Sequence, residues 1–446
     1  MTEESKGRAV PGGRIGRLGG MGRIVGGIAG GIVTEGARRL AAGERPKMND
    51  LILTPKNAAR VADQLANLRG AAMKLGQMIS MDAGDILPPE LTQILARLRD
   101  NAHHMPPKQL DGVLTAEWGR DWRRKFRHFQ AHPIAAASIG QVHRAEMPDG
   151  RTLAIKVQYP GIANSIDADV DNVATLLRVS GLLPRELDIA PLLGEAKRQL
   201  HEEADYERER AMLERYRTLV GDDPAYVVPG SDPALSTGRV LAMEFVAGER
   251  VEVLEAADQA TRDKAAEALV RLMLRELFAW GVMQTDPNFA NYRWQADTGR
   301  LVLLDFGAAR VIRPETQAAY HRLILAGLSG DRDAVRVAAV ETGFLGAAAT
   351  ERHRATVDRM IGVILAKLDQ PGAFDFGDRA FVPVLRQEAA TMAEDRDTWH
   401  LPPVDTLFVQ RKVSGTALLC ARLKARVDVR GMVEGYRHAS FGATGG

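Results

Sequence analysis

A β-hairpin that carries one lysine sets the terms for the rest of the chain. SIGQVHRAEM and RTLAIKVQ, within residues 138–158, flank Pro148-Asp149-Gly150, the turn chemistry that joins antiparallel strands. In the second strand the period of two sets Leu153, Ile155 and Val157 on one face, and Ala154, Lys156 and Gln158 on the other. A single helix from about Asp188 to Val220 is expected next. Its stripe Leu193, Ala196, Leu200 continues onto Glu203. A carboxylate on a face that should be buried needs a partner, because an unpaired buried charge is costly. Lys156 is the natural one. The plainer reading is an amphipathic helix whose inner face ends near Leu200.

RVLAMEFV, residues 239–246, reads as a buried strand. Beyond residue 250 the pattern is mostly helical, broken by GVMQTDPNFANY and by the apolar strand LVLLDFG. Asp286 and Asn291 stand in the first interruption, and Asp305 closes the second, where the chain must turn. Phosphoryl transfer asks for these groups. A carboxylate orients the nucleophile, an amide oxygen and a second carboxylate hold Mg²⁺, a lysine holds the α/β-phosphates, and a glutamate holds the lysine. Protein kinases supply a strand Lys, a helix Glu, an Asp-x4-Asn loop and Asp-Phe-Gly in that chain order. The same order is met here by Lys156, Glu203, Asp286 with Asn291, and Asp305. The expected cofactors are ATP and Mg²⁺. In Met243-Glu244-Phe245-Val246, the backbone of Glu244 and Val246 would bond adenine by the same analogy, against the plain alternative of a strand end.

Two features depart from the kinase pattern. The loop before the candidate catalytic aspartate reads Gln284-Thr285-Asp286, not His-Arg-Asp. In place of a glycine-rich loop stand Ala135, Ala136, Ala137 and Ser138, followed by Ile139-Gly140-Gln141. Alanine disfavours backbone conformations that glycine allows, so this loop should hold nucleotide differently.

The chain has 446 residues, a formal net charge of +2 and one cysteine, Cys420. A near-neutral balance supplies no global basic field for nucleic acid, and aromatic residues amount to only 5% with no basic-aromatic strip. One cysteine excludes an internal disulfide framework and a cysteine-rich zinc site. No segment reaches the ~18 apolar residues of a membrane-spanning helix. The opening MTEESKGR makes a poor secretory signal, and an intracellular protein is expected.

Residues 1–45 stand apart. Ten of the twenty positions from Gly12 to Gly31 are glycine, and Arg14, Arg17, Arg23, Arg38 and Arg39 bracket IVGGIAGGIV. The segment reads either as a flexible tail or as a membrane-surface or dimerisation element. Small residues at intervals of four let helices approach in lipid, and flanking basic residues attract anionic head groups. A helical block follows over 46–130. Val61, Leu65, Leu68, Ala72, Leu75 and Ile79 form its inner face, while Lys74, Gln77, Met78 and Met81 share another. Shorter helices opened by proline are expected at Pro89–Leu98 and Pro107–Trp118.

Taken together, the motifs resemble the UbiB (AarF-domain) family of atypical kinases, and within it the coenzyme Q kinase-like subgroup. Lys-Leu-Gly-Gln at Lys74–Gln77 matches the family's Lys-x-Gly-Gln signature. Ala135–Ser138 match its alanine-rich loop, and Glu203 with Asp205 match its Glu-x-Asp signature. Met283-Gln284-Thr285-Asp286-Pro287-Asn288 resembles the subgroup's catalytic loop. The resemblance implies an α+β, protein-kinase-like two-lobed fold with an N-terminal helical extension packed over the active site. On that frame 131–246 form the N-lobe and 247–446 the helical C-lobe. Lys74 and Gln77 would project into the space a peptide substrate needs, and Asp205 would support the contact between extension and lobe. The resemblance further implies Mg-ATP binding and ATPase or small-molecule kinase behaviour in support of ubiquinone biosynthesis. Its expected partners are an anionic membrane surface with an isoprenoid lipid as candidate ligand, quinone-biosynthesis proteins, and a second copy of the chain. The expected location is the cytoplasmic face of the inner membrane, or the mitochondrial inner membrane in a eukaryote.

Two other classes compete. A protein kinase acting in trans needs an open peptide groove, which the Lys74 extension should block. A catalytically silent nucleotide-binding scaffold does not need Asp286, Asn291 and Asp305 intact. The histidines at 103, 104, 128, 132 and 143 read as surface or structural, since Pro133 breaks the one helical spacing among them.

Overall fold

The computed structural model describes residues 104–137, 139–179, 190–370, 372–393, 395 and 402–441. The Gly/Arg-rich segment, the helical block through residue 103 with Lys74 and Gln77, and Ser138 lie outside the described residues. The chain divides into two compact units. The first takes the described residues up to Ala211 together with Gly230–Phe245; the second takes Met212–Pro229 and the residues from Val246 onward.

The first unit is built on one antiparallel sheet. Its strands are β1 (His128–Phe129), β2 (Ala135–Ala136), β3 (Gly140–Glu146), β4 (Thr152–Gln158) and β6 (Val240–Glu244), in the order β1-β3-β4-β6 with β2 also on β3. The hairpin read from the sequence is present, with Val142 opposite Lys156 and Lys156 opposite Leu241. Helix α1 (Pro107–Trp118) starts on its first-turn proline and stops at Gly119, whose φ of 84° an L side chain would resist. Leu110, Val113, Leu114, Trp122 and Phe126 pack with Leu153, Ile155 and Val157 of β4, each fully buried aliphatic contributing roughly 1.5–3 kcal/mol. The opposite face of β4 is also buried: Ala154, Lys156 and Gln158 are all below 9% exposed.

Helix α2 (Ile166–Val179) precedes the region where the sequence predicts one long helix. That region contains two helices instead, α3 (Ala190–Glu203) and α4 (Tyr206–Val220). Asp205 makes the break, its Oδ1 accepting the Arg208 N–H at 3.0 Å as a helix N-cap does. Gln158 holds the corner by donating to Ala204 O at 2.5 Å and Gly238 O at 3.2 Å.

In the second unit β5 (Tyr226–Val227), β7 (Glu249–Arg250), β9 (Tyr292–Gln295) and β10 (Arg300–Leu303) form a sheet in the order β5-β10-β9-β7. A separate ribbon pairs β8 (Val282–Gln284) with β11 (Ala309–Val311), so the segments on either side of Asp286 and Asp305 run side by side. Around them lie α5 (Gln259–Arg275), α6 (Pro314–Ser329), α7 (Arg332–Glu341), α8 (Ala347–Arg352), α9 (Arg354–Leu368), α10 (Val382–Ala393) and α11 (Val404–Arg422). Helix α11 packs along α5. No helix among the described residues is long and apolar enough to cross a membrane.

Candidate active site

In the first unit the candidate site centres on Lys156. Its ammonium meets both carboxylate oxygens of Glu209, at 2.7 and 2.8 Å. The two side chains are 10% and 1% exposed. The sequence expectation assigned Glu203 to this role, and the carboxylate on the ammonium is that of Glu209. The physical reason is the break at Ala204-Asp205. It restarts the helical register, and the inward stripe of α4 becomes Tyr206, Glu209, Leu213, Tyr216 and Val220, all buried. Glu203, at the end of α3, is only half-buried. The stripe of α4, with a carboxylate in one apolar slot, was the signal that could have found Glu209. The Tyr206 ring lies 5.1 Å from the Lys156 ammonium, a cation–π contact that adds to its seat.

Asp205, expected to join the extension to the lobe, is seen capping α4. The alanine loop begins as strand, Ala135 opposite Val142 and Ala136 opposite Gln141, and turns where Ala137 N–H bonds Gly140 O at 2.9 Å. Gly140 is required at that turn. A Cβ there would collide with the Val157 carbonyl oxygen and stand 2.8 Å from the Tyr206 hydroxyl.

Behind the hairpin, Gln141 accepts the Met105 N–H at 2.7 Å and contacts His143 Nε2 at 2.8 Å through its amide nitrogen. That nitrogen can only donate, so Nε2 accepts and Nδ1–H donates to Gln130 O at 2.9 Å. Burial lowers the His143 pKa to about 4, and the imidazole is neutral. At the end of β6 the Glu244 N–H bonds Gly230 O, and its carboxylate accepts the Gly230 N–H. With its N–H engaged, Glu244 could meet the expected adenine only through its carbonyl. Val246 opens the second unit's share of this link.

The second unit holds Asp286, Asn291 and Asp305. The Asp286 N–H is fixed by Gln284 Oε1 at 2.7 Å, and its carbonyl accepts from Asn291 Nδ2 at 2.9 Å. With the Asn291 amide nitrogen engaged, its carbonyl oxygen is the atom left for a hard cation. Leu304 N–H bonds Asn291 O at 3.0 Å, which ties the Asn291 turn to the strand end that carries Asp305. Asp305 Oδ1 accepts the Gly307 N–H at 3.0 Å, and Phe306 is buried with its ring 5.0 Å from Tyr216. One amide oxygen and one carboxylate form an oxygen donor set that fits Mg²⁺ whose remaining ligands are phosphate and water. Among the described residues no cluster of three His, Cys, Asp or Glu could hold a metal by itself.

Sequence reasoning missed Arg411 and Lys412 on α11. Arg411 donates to Asp286 Oδ1 at 2.7 Å, and buried Lys412 pairs with buried Glu276 at 2.7 Å. Nothing local marks them, since Arg411 lies 125 residues from Asp286 in the chain.

Residues 97–339 match the model of the ABC1 atypical kinase-like domain. The chain is 36% identical over 424 residues to atypical kinase COQ8, mitochondrial, of Saccharomyces cerevisiae, covering 95% of this chain and 84% of that protein. The chain belongs to the ABC1 atypical kinase family. Within this family, the UbiB group, it falls in the coenzyme Q kinase subgroup. Atypical kinase coq-8, mitochondrial, of Caenorhabditis elegans is 37% identical over 447 residues, covering 98% of this chain and 59% of that one. A solved structure of Rv3197 with erythromycin, from Mycobacterium tuberculosis, superposes with a TM-score of 0.59 at 24% identity. It covers 86% of this chain and 97% of that chain, a likeness of fold. The ABC1 chain described here is thus an α+β protein of kinase-like fold and a phosphotransferase-like enzyme.

Proposed function

We propose that the chain is an atypical kinase or ATPase that binds Mg-ATP and supports coenzyme Q biosynthesis at a membrane. The observation that carries the reading is the buried, doubly bonded Lys156–Glu209 pair. A strand lysine held this way is pre-set to meet nucleotide phosphates. Lys156 holds the α/β-phosphates and Glu209 orients Lys156. Ala135, Ala136, Ala137 and Ser138 close over the phosphates, and the Glu244–Val246 backbone receives adenine. Asn291 and Asp305 would hold Mg²⁺, which when bound would supply charge neutralisation at the phosphates. Asp286 orients the nucleophile while Arg411 fixes its carboxylate. Lys74 and Gln77 keep the restrictive part that the family resemblance gives them, and Asp205 the support of the contact between extension and lobe. The test is nucleotide binding with and without Mg²⁺. Asp305→Asn is expected to abolish the Mg-dependent part, and unchanged affinity would remove Asp305 from the metal site.

The coenzyme Q role follows from relatives named COQ8 and COQ8B. Their mitochondrial names, together with the Gly/Arg-rich residues 1–45, favour a peripheral place on an anionic membrane, with quinone-biosynthesis proteins, an isoprenoid lipid and a second copy of the chain as partners. Deleting residues 1–45 should release the protein from anionic liposomes without lowering ATP affinity; full retention in a flotation assay would refute the membrane role of that segment.

A further inference from the structure

The least economical feature of the second unit is a pair of full charges with no access to water. Glu276 is 0% and Lys412 1% exposed, and Nζ stands 2.7 Å from Oε2. Two charges taken out of water are a poor device for stability, since apolar residues of like volume often serve as well. What Glu276 supplies, and an apolar residue does not, is directed bonding through its second carboxylate oxygen, Oε1.

Glu276 opens a π turn, Glu276–Trp280, at the end of α5. Such a wide turn re-aims a side chain relative to the helix before it. Here Glu276 Oε1 accepts the Tyr216 hydroxyl at 2.8 Å and the Gln284 backbone N–H at 3.2 Å. Gln284 then passes the constraint on, its Oε1 accepting the Asp286 N–H at 2.7 Å. On the other side Tyr292, next in the chain to Asn291, is buried at 4% exposure and lies within the electrostatic reach of the Lys412 ammonium. Burial works to lower the Lys412 pKa, but the Glu276 carboxylate and Tyr292 together leave it raised, and the ammonium stays charged. Arg411, the neighbour of Lys412, holds Asp286 Oδ1. Helix α11 thus meets the segment directly at Asp286 and indirectly through Glu276.

We propose that the buried Glu276–Lys412 pair is the positioning device of the catalytic segment. It fixes Asp286 through Gln284, with Lys412 holding the Glu276 carboxylate, and sets turnover more than nucleotide affinity. The role rests on the phosphotransfer reading above, and both residues act through others without touching substrate.

The test compares two paired replacements in the full chain. Glu276→Leu with Lys412→Met removes the charges and the acceptor for Gln284. Glu276→Gln with Lys412→Met removes the charges and keeps that acceptor. Phosphate release from Mg-ATP is expected to drop about 30-fold or more in kcat for the first, with KM for ATP little changed, and to recover largely in the second. Amide exchange at Gln284 and Asp286 should rise about tenfold in the first variant only. Gln284→Ala, which cuts the next link and leaves the buried pair intact, should reproduce the kcat loss if the first variant fails to fold. Wild-type exchange at Gln284 and Asp286 in a folded first variant, or wild-type kcat in Gln284→Ala, would overturn the proposal. The exchange readout needs no turnover. A wild-type chain that released no phosphate would count against the phosphotransfer reading alone, and the positioning role would still be decided.

Discussion

Replacing Glu209 with glutamine removes the charge that meets the buried Lys156 ammonium through both carboxylate oxygens. The Lys156 ammonium has two carboxylate contacts, at 2.7 and 2.8 Å, and its side chain is 10% exposed. Water cannot replace what Glu209 provides. Breaking a buried pair from one side typically costs about 3–5 kcal/mol, because a charge is left uncompensated. Spread over a chain of 446 residues, that corresponds to a fall in melting temperature of roughly 3–5 °C. Lys156 would then turn toward other acceptors, and ATP affinity should fall with stability. Differential scanning fluorimetry, run with and without Mg-ATP, reads both effects. Glu203→Gln is the control on the half-buried neighbour, and its stability loss should be smaller. The reasoning fails if Glu209→Gln melts and binds nucleotide like the wild type, or if Glu203→Gln is the more damaging of the two.

Three further outcomes follow from the same geometry. Gly140→Ala forces a Cβ against the Val157 carbonyl and the Tyr206 hydroxyl, so it should cost about 1–3 kcal/mol and weaken nucleotide binding; wild-type melting would show that the turn yields easily. Asp205→Ala removes the cap of α4 and should lower stability by about 1 kcal/mol in denaturant unfolding, while a neutral result would deny the cap any energetic part. His143 is held neutral with a pKa of about 4, below its unfolded value of 6.5, so unfolded chains bind its proton first as pH falls. Its contribution is complete above about pH 6.5 and shrinks toward pH 4, amounting to about 2 kcal/mol lost by pH 5. His143→Gln should flatten that part of the pH profile, and parallel profiles for the two proteins would contradict the assignment.

The hairpin, the DFG strand end and the 107–118 helix were legible because each rests on local pattern: turn residues, alternation, a proline start. Asp286 and Asn291 could be picked out as candidates because their motif keeps chemical groups at a fixed short spacing, and the structure ties their turn to the strand end that carries Asp305. Glu209 was not, because one capping bond from Asp205 divides a helix that apolar periodicity runs together, and the break moves the buried carboxylate position by six residues. Gln158 illustrates the same limit: its partner is a carbonyl at the corner the break creates. Arg411, Glu276 and Lys412 lay further out of reach. Their pairing depends on α11 packing along α5, a contact between segments far apart in the chain, and a lone basic residue in a helix carries no mark of the charge it will meet.

The most direct test of the central claim is phosphate release from Mg-ATP by the wild-type chain beside Asp286→Asn and Asp305→Asn. Turnover in the wild type that falls about 100-fold or more in each variant, with the fold intact by melting, is the predicted result. Equal phosphate release by all three proteins would contradict it.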